Sequence, residues 1–488
     1  MADRKTSRKS LKINALLNTI KTVSGILFPL ITFPYISRIL SVDSVGAYNF
    51  SVSVISYCTL IAGLGISSYA IREGSQYRDN PQLITRFVSE IFTLNIISTI
   101  IAYIILAICI IFVPKINSYS TIICILSLEV VFTTIGVNWV CNIYEDFAFI
   151  AIRTIVFQFL SLIATFVFVK TQDDILKYVI IVVFASSGAS LMNFFYIRKR
   201  YVNFKLIFNN DILKHLKAIL IIFSSTVTIT LYVNSDITIL GFLMTDTDVG
   251  LYSASVKIYT IAKNVLVSII VVLIPRFSIL FTTRRLEEAN ALFSKVLDTV
   301  TALVFPVTVG LFMTSNDVIL LLAGGKYAGA GSSLRILSIA TMFSLFAYIY
   351  TNCVLLPLKK EKIILYASLV SAIVNIIFNI VMIPVLGINA AAITTVLAEA
   401  NVFGIALFCS RNAIKIYGLK KDLISVLLGC IGIIVTCILA RSINRFVIRL
   451  VVEISISCIV YFFILLLCHN SVITEYYERF KTKIGSSR

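Results

Sequence analysis

Only 14% of this 488-residue chain is charged, histidine occurs twice, tryptophan once, and acidic residues number 24. Soluble domains carry about 25% charged residues, so the shortage argues against a free cytosolic enzyme. His215 lies in a basic connector and His469 near the tail, which removes histidine clusters and H-E-x-x-H zinc chemistry and leaves no metal site to expect. No G-x-x-x-x-G-K-[ST] loop is present to cradle nucleotide phosphates. The ten cysteines stand singly, nearly all inside apolar runs and without a C-x-x-C pair, and read as small buried hydrophobes. No stretch outside the apolar runs exceeds about twenty residues, too little for a soluble catalytic domain.

What the chain has in excess is hydrocarbon. Apolar residues make up 59% of it, which at ~20 residues per membrane helix allows up to roughly fourteen spans. Fourteen apolar runs bounded by charge, Pro, Gly or Asn can be marked: 13–40, 45–70, 87–113, 120–143, 147–169, 175–197, 217–243, 250–275, 289–313, 331–357, 363–386, 389–410, 422–440 and 446–468. The N-terminal Arg4, Lys5, Arg8 and Lys9 look like a signal-peptide start, but the run after them is long and carries Pro29 and Pro34, so it reads as an uncleaved first span. Alternating the sides of fourteen spans places thirty Lys and Arg on one face and nine on the other. The positive-inside rule makes the richer face cytoplasmic, with both termini there. The net charge of +18 is then a loop property, and no nucleic-acid partner is expected.

The chain repeats. Ser41-Val42-Asp43-Ser44-Val45-Gly46-Ala47-Tyr48 and Thr245-Asp246-Thr247-Asp248-Val249-Gly250-Leu251-Tyr252 share [ST]-x-[DT]-[SD]-V-G-x-Y, and at the same offset Arg72 falls on Arg276. Short turns recruit Asp and Gly for local reasons, but the match runs on to a distant arginine, as duplication requires. The expected architecture is an all-α integral membrane protein of about fourteen transmembrane helices. Two six-helix lobes, related as repeats around a central cavity, occupy 1–200 and 217–415, joined by the basic connector 201–216. Residues 416–488 add two helices and a cytoplasmic tail. Parallel repeats of this kind form carriers that alternate access rather than pores.

Ionisable groups at membrane depth cost ~2.5–3.5 kcal/mol each on insertion scales, so they face interiors or water. In span one Asn14, Asn18, Lys21, Gly25 and Thr32 share a helix face, with Arg38 beyond Pro34. In span eight Lys257 and Asn264 share a face, while Lys263 lies about 120° around the helix. These cations, Lys21, Lys257, Arg38 and Lys263, form a candidate set for an anionic headgroup; Arg38 and Lys263 could instead snorkel to lipid phosphate. Asp236 and Glu399 are candidates either for a coupling H+ or Na+ or for satisfied ion pairs. Asn18, Tyr35 and Tyr232 are candidate sugar contacts. No other cofactor is expected.

The segments Leu27-Phe28-Pro29-Leu30-Ile31-Thr32-Phe33-Pro34-Tyr35-Ile36-Ser37-Arg38, Val45-Gly46-Ala47-Tyr48-Asn49-Phe50 and Tyr69-Ala70-Ile71-Arg72-Glu73 resemble the opening of Wzx-type polysaccharide flippases. Asp236 with Ile239-Leu240-Gly241, and Gly387-Ile388-Asn389-Ala390-Ala391-Ala392, resemble later parts of the same family. These belong to the multidrug/oligosaccharidyl-lipid/polysaccharide exporter superfamily. The resemblance implies transfer of an undecaprenyl-diphosphate-linked oligosaccharide across the bacterial inner membrane, as for O-antigen or capsule repeat units. It further implies alternating access, a cationic lumen, and partners among polymerases or glycosyltransferases. It assigns no residue a binding role. A lipid II flippase, an ion-coupled multidrug antiporter and a non-transport scaffold of a glycan-synthesis complex stay open as alternatives.

Overall fold

Helix breakers and caps set where each element begins. In a computed structural model that describes residues 11–208, 211–417 and 419–474, every regular element among the described residues is helical. Twelve helices are long and apolar enough to cross a membrane. Two shorter apolar ones, Val23–Ile39 and Ser120–Gly136, fall on the first and fourth expected runs, so all fourteen runs are helical. Chain contacts divide the protein into Met1–Phe242 and Leu243–Arg488.

In the first unit, α1 (Leu11–Ile39) carries Pro29 and Pro34 within it. The Ser41 hydroxyl accepts from the backbone N–H of Ser44 (3.1 Å) and caps α2 (Val42–Gly63). α2 stops at Leu64 and Gly65, both left-handed, and the chain resumes as α3 (Ile66–Tyr77). A side chain at Gly65 would meet Ile222 Cγ2 at 3.0 Å and the Phe223 backbone nitrogen at 3.1 Å. The break removes a helical donor for the Ala62 carbonyl. Asn95 Nδ2 (2.8 Å) and Ser98 Oγ (2.6 Å), from α4 (Pro81–Phe112), donate to it instead. After the short α5 (Pro114–Asn117), the fourth run is likewise broken, at left-handed Val137, into α6 (Ser120–Gly136) and α7 (Asn138–Ile143). The Gly136 carbonyl there accepts from Asn193 Nδ2. α8 (Phe147–Phe168) and α9 (Ile175–Arg200) follow, and an extended connector returns along α4. Its Lys205 and Ile207 N–H groups donate to Ser89 Oγ (3.1 Å) and Thr93 Oγ1 (3.0 Å). α10 (Ile212–Leu243) then packs on α2: Thr238 Oγ1 donates to Ser53 Oγ (3.0 Å), and Gly241 lies against Phe50. His215 joins α10 to Tyr69 (2.7 Å) and Glu90 (3.1 Å). These contacts carry the division between units past the connector 201–216 to Phe242.

The second unit repeats the plan. Thr245 and Asp248 form a reciprocal capping box for α11 (Asp246–Val271). Its direction continues, after Val272 and Leu273, in α12 (Ile274–Thr282). α13 (Leu286–Leu322) contains Pro306. A 3₁₀ turn (Gly325–Ala330) leads to α14 (Gly331–Ile349), which ends in a π-helical segment, Tyr350–Leu355. α15 (Glu361–Leu386) and α16 (Ile388–Ser410) close this set. The following connector is pinned as its counterpart is, with Lys415 N–H on Asn290 Oδ1 (2.9 Å) and Tyr417 N–H on Ser294 Oγ (3.0 Å). In both units, two donors two residues apart therefore meet an i, i+4 polar pair, on α4 in the first unit and on α13 in the second.

α17 (Leu419–Ala440) and α18 (Phe446–Leu467) lean on α13. Tyr461 OH donates to the Ala302 carbonyl (2.7 Å), and Arg449 grips Asp317 through Nε (2.7 Å) and Nη2 (2.5 Å). This pairing accounts for an arginine that the Lys and Arg count alone placed on the poorer face.

Two outcomes test these contacts. Gly65→Ala places a side chain at φ +73° and should lower the thermal midpoint in detergent by the equivalent of ~1–2 kcal/mol. Gly63→Ala, with nothing within 4 Å, should leave the midpoint unchanged or raise it. Asp317→Asn should destabilise by an amount between the ~1 kcal/mol of an exposed pair and the ~3–5 kcal/mol of a buried one. A double-mutant cycle with Arg449→Gln should recover much of that loss; additive losses would contradict the pairing.

Candidate functional site

On α11 the side chains of Lys257, Thr260, Asn264 and Ser268 are all exposed. At 100° per residue they fall within a sector of roughly 80°, to which Ser253 also belongs. Ser253 Oγ is buried and has no partner among the described residues. Exposed Val265 and Ile269 occupy a separate, apolar sector, while exposed Val271, at the end of the helix, falls within the polar one. Ser268 Oγ donates back to the Val265 carbonyl (2.6 Å), but acyl chains cannot satisfy the Lys257 ammonium, so this sector requires water or a polar ligand. Lys257 has no ion-pair partner among the described residues.

Lys263, a third of a turn away on the same helix, is held inward. Its Nζ lies 2.7 Å from Glu399 Oε1 on α16, and Tyr259 OH donates to that same oxygen (3.1 Å). The Tyr259 ring sits under the ammonium at 5.6 Å. Glu399 is buried, at 5% exposure, and Lys263 supplies its counter-charge. The same stretch of α16 is bound to its neighbours by neutral hydrogen bonds. Thr394 Oγ1 donates to Asn379 Oδ1 (2.6 Å), Asn379 Nδ2 to Asn375 Oδ1 (3.1 Å), and Asn401 Nδ2 to Ser371 Oγ (2.9 Å).

In the first unit, Asp236 is buried on α10, at 8% exposure, one turn beyond the half-buried Tyr232. Nearby on that helix Thr238 meets Ser53 and the Tyr57 hydroxyl (3.1 Å). Arg38 is exposed in the last turn of α1. The Tyr35 hydroxyl is committed to the Val169 carbonyl (2.8 Å), and its ring stands edge-on to Phe166 (4.5 Å), so Tyr35 clamps α1 to the end of α8. The backbone of Asn18 and Lys21 is helical, but their side chains lie outside the described residues. Where α10 begins, Asp211 faces Lys214 and Arg86; Lys214, the larger influence, holds this carboxyl below the ordinary range.

Of the expected cations, then, Lys257 lies open on a polar face, Lys263 is paired and Arg38 is exposed in the first unit. Sequence reading missed the Lys263–Glu399 partnership, because 136 residues separate its members. The available signal was that each lies in an apolar run, where a lone charge needs a counter-charge.

These helices, their paired breaks and their pinned connectors define a multi-pass membrane protein with a transporter fold. One solved relative in fold is the "Lipid II flippase MurJ, inward closed conformation", at TM-score 0.69 and 16% identity, covering 93% of this chain and 98% of that one. Another is an inward-facing multidrug resistance MATE family transporter of the MOP superfamily, at TM-score 0.64 and 13% identity, covering 79% of this chain and 93% of that one. Residues 11–281 match the polysaccharide biosynthesis protein family, and the chain belongs to it. Among its relatives is an Escherichia coli (strain K12) protein named "Putative O-antigen transporter", 24% identical over 417 residues, 83% of this chain and 98% of that protein. A Shigella dysenteriae protein of the same name is 22% identical over 373 residues, covering 75% of this chain and 92% of its own length.

If the Lys263–Glu399 pair is structural, Glu399→Leu should lower the thermal midpoint by stranding a largely buried ammonium. Adding Lys263→Met should restore part of that loss. Equal, additive losses measured by thermal unfolding in detergent would show that the two side chains do not depend on one another.

Proposed function

We propose that this protein is a flippase for a lipid-linked oligosaccharide, such as an undecaprenyl-diphosphate-linked repeat unit of O-antigen or another surface polysaccharide. The observation that carries the reading is the exposed Lys257 in the polar sector of α11. A cation without an ion-pair partner among the described residues, on a face unsuited to acyl chains, suits an anionic diphosphate, and the hydroxyls and amide beside it suit a sugar. Lys21 and Arg38 are further candidates for the diphosphate, as is Lys263 when it leaves Glu399. Asn18 and Tyr232 contribute sugar contacts, whereas Tyr35 keeps its clamp. Family membership and the names of the two relatives support the polysaccharide substrate class.

Transport proceeds by alternate exposure of the polar face to the two sides of the membrane. The lipid tail remains in the bilayer while the headgroup crosses. The thirty-to-nine distribution of Lys and Arg supports an inner-membrane orientation with cytoplasmic termini. An H+ or Na+ gradient drives the cycle through Asp236 or Glu399, and a polymerase or glycosyltransferase supplies or consumes the carried unit. Lipid II is the alternative cargo, supported by the fold shared with its flippase. A cationic drug is disfavoured by Lys257.

Lys21→Ala combined with Lys257→Ala should abolish polymer export while leaving the amount of protein in the membrane unchanged. Full export by the double variant would reject the docking role. Reconstituted vesicles with labelled lipid-linked sugars separate flipping from chemistry, since a flippase exposes the sugar on the opposite leaflet unaltered.

A further inference from the structure

Arg153 closes the second turn of α8 and is only 7% exposed. A guanidinium is permanently charged and offers five N–H donors but no acceptor. Here Nη1 donates to Asn138 Oδ1 (3.0 Å), and the Phe149 ring lies 5.7 Å from Cζ. The Nε group is buried with no acceptor, and no carboxylate forms an ion pair with Arg153 among the described residues. Asp146, closest in the chain, instead receives the hydroxyls of Tyr196 (2.6 Å) and Tyr201 (2.8 Å) on Oδ2. Trp139, the next residue after Asn138, is 4% exposed, and its indole N–H has no acceptor among the described residues.

Other arginines of this protein are treated differently. Arg449 is matched to Asp317, Arg86 to Glu90 and Asp211, Arg78 to Glu145, and Arg285 to Glu288. The arginines in those pairs are more exposed than Arg153. A buried charge left with one amide oxygen among the described residues marks a missing anion. The planar fork fits two oxygens of one phosphate group, and Asn138 fixes its orientation. The Lys and Arg distribution assigns this end of α8 to the cytoplasmic face, at the level of lipid headgroups. We infer that Arg153 and Asn138 form an anion site for a phosphate group, separate from the Lys257 face and independent of what the protein transports.

The test uses full-length protein in maltoside micelles freed of phosphate. Its thermal midpoint is measured with inorganic phosphate against chloride at matched ionic strength, and with phosphatidylglycerol against diacylglycerol of the same chains. Wild type should gain about 3 °C or more at saturation from a phosphate-bearing ligand. Arg153→Gln should lose this gain, and Arg153→Lys, which keeps charge but not the fork, should lose most of it. A gain from phosphatidylglycerol alone identifies a leaflet lipid as the source; a gain from inorganic phosphate as well identifies a soluble phosphate. Because the effect is read as the difference between wild type and Arg153 variants, phosphate held at Lys257 cancels, and loss of export by Lys257 variants has no bearing on it. Should Arg153→Gln fail to fold, Arg153→Lys carries the comparison. No gain in wild type, or the same gain in the variants that fold, overturns the site.

Discussion

In hydrocarbon every backbone N–H and C=O must find its partner within the protein, and this constraint organises the structure. Uninterrupted helices meet it automatically. Where helices break, at Leu64–Gly65 and at Val137, side chains from neighbouring helices take over: Asn95 and Ser98 for Ala62, Asn193 for Gly136. The connectors obey the same rule, each donating two N–H groups to an i, i+4 polar pair on α4 or α13. Polar residues inside the spans are therefore first of all structural, and only those left over after this accounting are candidates for function.

The accounting sorts the charges into three kinds. Lys263 with Glu399 and Arg449 with Asp317 are matched partners that fasten helices within one unit. Lys257 is unmatched but open, on a largely polar face. Arg153 is unmatched and closed in, with an amide and an aromatic ring for company. The desolvation penalty is tolerable in the first case because Coulomb attraction offsets it, and in the second because water or a ligand can reach the ammonium. Among the described residues, only the third case leaves a buried charge without a full set of acceptors.

Much of the architecture was legible in the residues. Each of the fourteen apolar runs is helical, since length and hydropathy suffice to specify a span once water is excluded. The two matching octets are helix starts, Ser41 capping α2 and Thr245 with Asp248 capping α11. Local turn chemistry and duplication are both visible in them. The 120° separation of Lys257 and Lys263 also followed from helix geometry alone, and the structure turns one outward and the other towards α16. Less legible were the π-helical end of α14 and the clamp of Tyr35 on Val169, each set by packing against distant chain.

By itself the sequence determined helices, their order and the repetition of their turns, because these depend on residues within a few turns of one another. Tertiary structure alone decided which charges far apart in the chain are paired. Glu399 reaches Lys263 across 136 residues and Asp317 reaches Arg449 across 132, while Arg153 reaches no carboxylate among the described residues. Side-chain charge is written in the chain, but its neutralisation depends on which helices the fold brings side by side.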